Sequence, residues 1–596
     1  MSRVTLRWDA RQPAAGLDVI PRRLGAWRRA LGPFAGPALI SWVALAGVVG
    51  VAGFILYMTF VAALPTSPEF TLRNWTALLR PYVLTTVIPN TIVVALTTVV
   101  VSAGFAIPLA WLLNATSLPW RRVYSMLIAA KIAIPGFITA MGWTLIINPR
   151  SGLLNQALAG FLGVPTIPID VQNPVGMGWV LGIVLTSPLF LLLAGPIRSL
   201  GGAFLEAGAV AGASGPQRLR YIVVPLMWPA ILGGMIYTGM SALSIFEVPA
   251  LLGAATGDQA VLATELFYAA HPAGANTPAY GAAGVYGVIV SLAGLVGLYF
   301  YYRVLGRSSQ YATISAMNRP GHVWPLSPAG KVFGTLFVWA FLLLGVVLPL
   351  LVLLWNSLLP FYQPPSLQAL SSLTWRNYNG LLSSVGGVGP FVNTLILLAI
   401  VPLLVVTFSF STSYVVVRSR LRIRKLMDLL AMLPHAIPHV AIAFAVLMFG
   451  LVVSSVLPLI GTIVIIIIAQ VIAFLAGGTR IMNAALLQMS PDLEEAARVA
   501  GAQNRTLFAW ITLPLVRDSL IFGLLWTALL AAREVSMALF LAGTNNRVFA
   551  VAVWILWQGG LLSYAAAAAV ILVLAMSVVA VFALLVGGRA TGAARV

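Results

Sequence analysis

Uncharged apolar runs long enough to cross a bilayer recur along this chain. Residues 38–64, 332–355 and 564–586 are the clearest. A helix needs about 20 apolar residues to span ~30 Å of hydrocarbon, and each run meets that length. Inside lipid no water satisfies backbone N–H and C=O groups, so only helices and closed barrels span. A barrel would need alternating strands of about ten residues, and that alternation is absent. Composition agrees: 60% of residues are hydrophobic and 8% charged, with mean hydropathy +0.99, against roughly a quarter charged in soluble domains. The expected fold class is therefore all-α and polytopic.

Twelve spans are expected, at 38–64, 88–114, 123–147, 176–197, 222–246, 282–302, 332–356, 391–417, 426–450, 457–476, 519–541 and 563–587. Residues 1–35 carry Arg3, Arg7, Arg11, Arg22, Arg23, Arg28 and Arg29. The apolar run that follows is too long for a signal-peptide core and has no convincing cleavage site. It reads as a basic cytoplasmic arm, held against anionic lipid, ahead of a first span. With both termini inside, only Arg73, Arg80, Arg150, Arg376 and Arg547 of the 34 Lys and Arg fall outside, and Lys131 and Arg533 fall within spans. That bias satisfies the positive-inside rule. The formal charge of +20 is then topogenic, including the cluster Arg418, Arg420, Arg422, Arg424 and Lys425, and no nucleic acid need be invoked. There are no cysteines and four histidines, so thiolate metal sites and disulfides are excluded.

The chain repeats itself. Arg73-Asn74-Trp75, Asn90-Thr91 and Ile134-Pro135 recur as Arg376-Asn377-Tyr378, Asn393-Thr394 and Ile437-Pro438, each displaced by 303 positions. A fourth pair of segments is displaced by 289, which a longer Pro- and Gly-rich loop at 148–175 in the first half explains. The organisation expected is an arm (1–35), a first half (36–302), a cytoplasmic linker (303–331) and a second half (332–596). Six spans in each half give both the same orientation, as parallel repeats.

The fourth pair lies in the loops after spans 4 and 10. One copy runs from Glu206 through Gly212 to Pro225, the other from Glu495 through Gly501 to Pro514. In both, Gly follows Glu by six residues and Pro follows it by nineteen. Glu and Ala favour helix, and acids suit its start. In the second copy Ser490 can cap and Pro491 fits the first turn. The Gly ends the helix or turns the chain. A short helix pinned between two spans would move both when pushed.

These loops resemble the signature of permease subunits of binding-protein-dependent ABC importers: Glu-Ala-Ala, three residues, Gly, and later Ile-x-Leu-Pro. The second copy matches closely; the first departs at Gly208 and Val224. Within that family the chain looks most like the fused iron(III)-type permeases, through 148–155, 246–251 and 533–536, although polyamine, thiamine and phosphonate permeases share similar segments. The resemblance implies a type I importer fold in a bacterial inner membrane. It also implies two copies of a cytoplasmic ATPase that holds the ATP and magnesium, and an external solute-binding protein. Glu206, Ala207, Gly212, Glu495, Ala496, Ala497 and Gly501 would contact the ATPases. The chain itself has no GxxxxGK[ST] phosphate loop, so no cofactor is expected in it and it should not hydrolyse ATP alone.

Ionisable residues in spans are costly and mark candidate paths. Glu247 and Glu534, expected near the external ends of spans 5 and 11, and Arg533 beside Glu534, could line a cation path, since hard cations prefer oxygen. The alternative is that Glu534 and Arg533 satisfy other polar groups at a helix interface and that Glu247 stands at the water boundary. Lys131 could snorkel inward. His435 and His439, four apart, could ligate a metal or mark a kink made by Pro434 and Pro438. A secondary carrier and an integral-membrane enzyme are the competing classes. The first lacks its loop motif between spans 2 and 3, and the second lacks a visible acid/base cluster.

Overall fold

The computed structural model describes residues 34–62, 65–66, 69–149, 151–164, 169–198, 202–253, 259–272, 277–312 and 323–590. Nearly all of the expected basic arm, residues 313–322 of the expected linker, and Arg150 lie outside these. Among the described residues ten helices are long and apolar enough to span, or twelve if each of two bent pairs counts as one span.

The apolar runs become helices in the order the repeat implies. The first half comprises α1 (Ala35–Met58), α2 (Ile88–Ala115), α3 (Arg121–Ala130), α4 (Gly136–Ile146), α5 (Leu153–Leu162), α6 (Pro174–Arg198), α7 (Gly202–Val210), α8 (Val224–Ser244), α9 (Glu247–Gly253), α10 (Leu262–Ala270) and α11 (Tyr280–Ala312). The second comprises α12 (Pro328–Leu342), α13 (Leu348–Ser357), α14 (Gly389–Arg418), α15 (Arg424–Met432), α16 (His439–Val453), α17 (Ile463–Gln488), α18 (Pro491–Val499), α19 (Leu513–Arg533), α20 (Ser536–Phe540), α21 (Phe549–Gln558) and α22 (Leu562–Ala590). Helices α2 and α14 end at residues 303 apart, and α7 and α18 match at 289.

Four expected spans differ from the helices found. Spans 3 and 9 are not continuous: α3 meets α4 at 96° and α15 meets α16 at 104°. The breaks fall at Ile134-Pro135 and Ile437-Pro438, where proline removes a backbone donor and holds the preceding residue extended. Span 10, expected at 457–476, is Ile463–Gln488. Residues 477–488, its last three turns, are more polar and hydropathy does not register them, although the helix continues to Gln488. Span 11 correspondingly starts earlier, at Phe508, and ends at Arg533.

The repeated side chains hold equivalent joints. Asn74 Nδ2 donates to the carbonyls of Thr59 and Val61, and Asn377 Nδ2 to those of Ser357 and Leu359. Each ties the segment after a first span to that span's end. Thr91 Oγ1 accepts from the N–H of Leu262 and Thr394 Oγ1 from that of Phe549, so a hydroxyl on α2 or α14 serves an N–H in the first turn of α10 or α21. Such orphan donors would otherwise be costly away from water.

Packing uses small residues, as expected where lipid gives no hydrophobic drive. A Cβ on Gly178 or Gly182 of α6 would run into Thr97 or Val101 of α2. In the second half Ser409 and Ser413 of α14 instead hydrogen-bond to the carbonyls of Leu475 and Thr479 on α17. The first spans are exchanged: α1 packs on α14 and α16 as well as α11, and α13 packs on α4 as well as α22. On the face opposite α7 and α18, the Tyr362 hydroxyl reaches the carbonyls of Leu145 and Ser151 in the other half at 2.7 and 2.9 Å. Burial pushes that hydroxyl up to about 12, so it stays a donor at any physiological pH. The largest buried cluster accordingly runs through both halves without interruption.

Candidate functional site

Two features stand out: a pair of loop helices on one face and a polar cluster at the seam of the halves.

Helices α7 and α18 form because their sequences say start and stop. Ser490 Oγ accepts the N–H of Asp492, and Pro491 occupies the first turn. Each helix ends on a glycine at positive φ, 79° at Gly212 and 83° at Gly501. Around Gly501, the N–H of Ala502 bonds the Ala497 carbonyl and that of Gly501 the Arg498 carbonyl; around Gly212, Ala213 bonds Gly208 and Gly212 bonds Ala209. This paired pattern is the Schellman stop, which needs a left-handed residue. The chain then re-enters a span through a π turn, Leu219–Val223 or Phe508–Thr512, just before Pro225 or Pro514. Proline offers no N–H there, and the wider turn absorbs the missing bond.

Glu206, Ala207, Gly212, Glu495, Ala496 and Gly501 are exposed, and Ala497 is half-buried. Val210 and Val499, equivalent to one another, are 90% and 87% exposed. Two large apolar side chains thus stand at matching points on short helices. The position before the signature Glu differs between copies. It is Leu205 in the first and Glu494 in the second, both buried. Glu494 lies 3.1 Å from Arg418 at the end of α14. Arg418, read from sequence as topogenic, is thus committed to a buried pair, and it also donates to the carbonyls of Leu486 and Met489.

The polar cluster forms where four helices break. Glu247, at the start of α9, accepts a 2.8 Å bond from Ser536, at the start of α20. These residues are repeat counterparts 289 apart. Glu534 does not share that equivalence. It sits between α19 and α20, takes the Met537 N–H at 3.0 Å and pairs with His439 Nδ1 at 2.8 Å. Arg533 donates to the Ile132 carbonyl at 2.7 Å, just before the α3–α4 break. His435 stacks on Tyr237 of α8 with centroids 5.1 Å apart. Lys131 does not reach a water interface; it is 3% exposed.

Glu247 was expected near an external end. It lies beside Gly136 at the α3–α4 break, just beyond the end of α8 at Ser244. Three contacts here join the halves: Arg533 to Ile132, Ser536 to Glu247, and His435 to Tyr237. The two histidines are separated by the Ile437-Pro438 break and serve different partners. Among the described residues no group of three or more His, Asp or Glu is placed to hold a metal. Sequence reasoning missed Ser536, Tyr237, Arg418 and Glu494. Only the last two left a trace, as a charge at one copy of the repeat facing Ala115 and Leu205 at the other.

Among the described residues the ten to twelve candidate spans thus fall into two repeated units, each presenting one loop helix of this form. Residues 417–590, which hold the second loop helix, match the family described as the binding-protein-dependent transport system inner membrane component. The chain is similar to the ferric transport system permease protein FbpB of Actinobacillus pleuropneumoniae, 27% identical over 83% of this chain and 70% of the relative. It is equally similar to an FbpB 1 ferric transport permease of Haemophilus influenzae, 27% over 83% and 77%. The spermidine/putrescine permease PotB of Escherichia coli is 28% identical over 31% of this chain and 67% of itself.

Proposed function

We propose that this chain is the permease of an ABC importer in the inner membrane and imports iron(III) released by an external solute-binding protein, driven by two copies of a cytoplasmic ATPase that dock on α7 and α18. The observation that carries the reading is the duplicated loop helix, with the same exposed face and the same glycine stop in both halves. Both termini and both loop helices face the cytoplasm, as the distribution of Lys and Arg favours. ATP and magnesium belong to the partner, since the chain has no phosphate loop.

Glu206, Ala207 and Gly212, with Glu495, Ala496, Ala497 and Gly501, form the contact surfaces. Closure of the ATPases pushes each loop helix, and the π turns pass the motion into α8 and α19. The seam contacts at Glu247, Arg533 and Glu534 lie at the far ends of those helices. Separating the halves breaks them and opens the path to the loaded binding protein; hydrolysis resets it. The carboxylates supply oxygen groups of the kind a hard cation prefers. Iron(III) is favoured by the similarity to ferric permeases and by the segments at 148–155, 246–251 and 533–536. The PotB likeness makes a polyamine the second reading.

Tagged chain extracted in mild detergent should bring down ATPase at two copies, lost when Glu206 and Glu495 are both replaced. Vesicles holding the assembled transporter should accumulate labelled iron(III) supplied on its binding protein, in competition with unlabelled iron(III) and not with spermidine. Competition by spermidine alone would transfer the assignment to polyamines, and a chain with no ATPase would return the secondary carrier.

A further inference from the structure

The two loop helices share an outline but are fastened differently. In the second half the fastening is ionic: Glu494, within α18, meets Arg418 at 3.1 Å, and both side chains are under 10% exposed. Arg498 adds a longer contact to the same carboxylate. In the first half the equivalent positions are Leu205 and Ala115, both buried and neither charged, so this clamp is missing.

Another group replaces it. Arg218, whose counterpart is the buried Leu507, donates to the Leu205 carbonyl of α7 and lays its guanidinium 4.9 Å over the ring of Trp324. Trp324 belongs to the segment leading into the second half. That segment is stitched to the end of α2: Trp324 N–H bonds the Ala115 carbonyl and the Ser117 N–H bonds the Trp324 carbonyl. The ring also packs edge-on against Trp111, and Leu326 N–H reaches Ser117 Oγ. The departure of the first loop from its signature fits the same arrangement. An alanine at Gly208 would bring its Cβ within 3.3 Å of the Arg218 side chain and 2.7 Å of Ile222.

We infer that the segment joining the halves is a working part of the first docking site, with Trp324 and Arg218 as positioning residues for α7, while Arg418 and Glu494 position α18. The inference rests on the docking reading above. A push on α18 goes to the end of α14 through a buried ion pair, and pulling that pair apart is costly because it leaves buried charges uncompensated. A push on α7 goes through a cation–ring contact into chain that continues to α12, in the other half. The two ATPase sites are therefore inequivalent, and the first one reports to both halves.

The chain has no cysteine, so Val210→Cys or Val499→Cys places one spin label on one loop helix of the full chain. Without ATPase, Trp324→Ala should raise label mobility at 210 and leave 499 unchanged. Arg218→Gln, which leaves the backbone stitching intact, should do the same, with about a two- to thirtyfold rise in the detached population, the range for one cation–ring contact. Arg418→Met with Glu494→Leu, which supplies the apolar character found in the first half, should move only the 499 label. In the assembled transporter, Arg218→Gln should lower uptake per ATP hydrolysed while two ATPases stay bound. Equal mobility changes at both labels, or none at 210 for either first-half variant, overturn the inference. Failure of added ATPase to immobilise either label in the unsubstituted background overturns the docking reading, and the inference with it, and the ATPase-free measurement keeps the two failures apart.

Discussion

At the residue scale the clearest constraint is the left-handed glycine that stops each loop helix. Nothing lies within 4 Å of a Cβ built on Gly212 or Gly501, so a substitution there meets no steric wall. Its cost is conformational, about 1–2 kcal/mol for a residue forced left-handed. Gly501→Ala should therefore shift the end of α18 without unfolding the spans. The expected outcome is normal membrane yield, weaker ATPase binding and less uptake per ATP; Gly501→Val should exaggerate all three. Uptake equal to the parent in Gly212→Val with Gly501→Val would show that the stop geometry is dispensable. Those glycines were legible in the sequence because their spacing from Glu and Pro was duplicated. Arg418 was not, because a lysine- or arginine-rich cluster at a span end has a sufficient topogenic explanation, and only the α18 contact separates one arginine from its neighbours.

At the element scale the unexpected feature is the pair of broken spans. Hydropathy averages over length and carries no direction, so 123–147 and 426–450 read as single crossings. The repeated Ile-Pro marks the duplication, and Pro434 with Pro438 signals a kink in the second half, but neither gives a bend of about a right angle. What stabilises the breaks is the polar seam, assembled from residues far apart in the chain. Helix ends buried among other spans leave backbone groups without water, and Arg533 on the Ile132 carbonyl meets one such need. The location of Glu247 and Glu534 in apolar surroundings was legible; their partners were not, because Ser536 meets Glu247 only across the seam and His439 meets Glu534 only once α16 packs against α20. Glu534→Gln keeps the shape but removes the charge facing His439. It should leave ATPase stoichiometry at two and abolish most uptake, while hydrolysis continues. If Glu534→Gln transports normally, the His439–Glu534 pair is a structural contact only. Ser536→Ala tests the symmetric joint separately, and a smaller loss is expected because it removes one neutral donor from a carboxylate, worth about 1.5–3 kcal/mol.

At the scale of the whole molecule, the exchanged first spans determine how the halves hold together. If α1 packed only within its own half, the two repeats would be joined mainly by the intervening chain. Instead α1 lies on α14 and α16, α13 lies on α4, and the Tyr362 hydroxyl adds a bond on the opposite face. The segment at Trp324 is itself bound to the end of α2, so residues 323–327 do not depend on covalent continuity to stay in place. PotB, matching under a third of this chain over two thirds of itself, has the proportions of a single half. Continuity across 313–322 should accordingly be dispensable. Residues 1–317 and 318–596 produced as separate chains should copurify one to one, retain two ATPases and support uptake at a substantial fraction of the intact rate. Trp324→Ala in the second piece should then weaken the first loop helix as it does in the intact chain. Pieces that reach the membrane but fail to associate would mean that the reciprocal packing of α1 and α13 is too weak to assemble the halves, and that the joining segment supplies the effective concentration that holds them together.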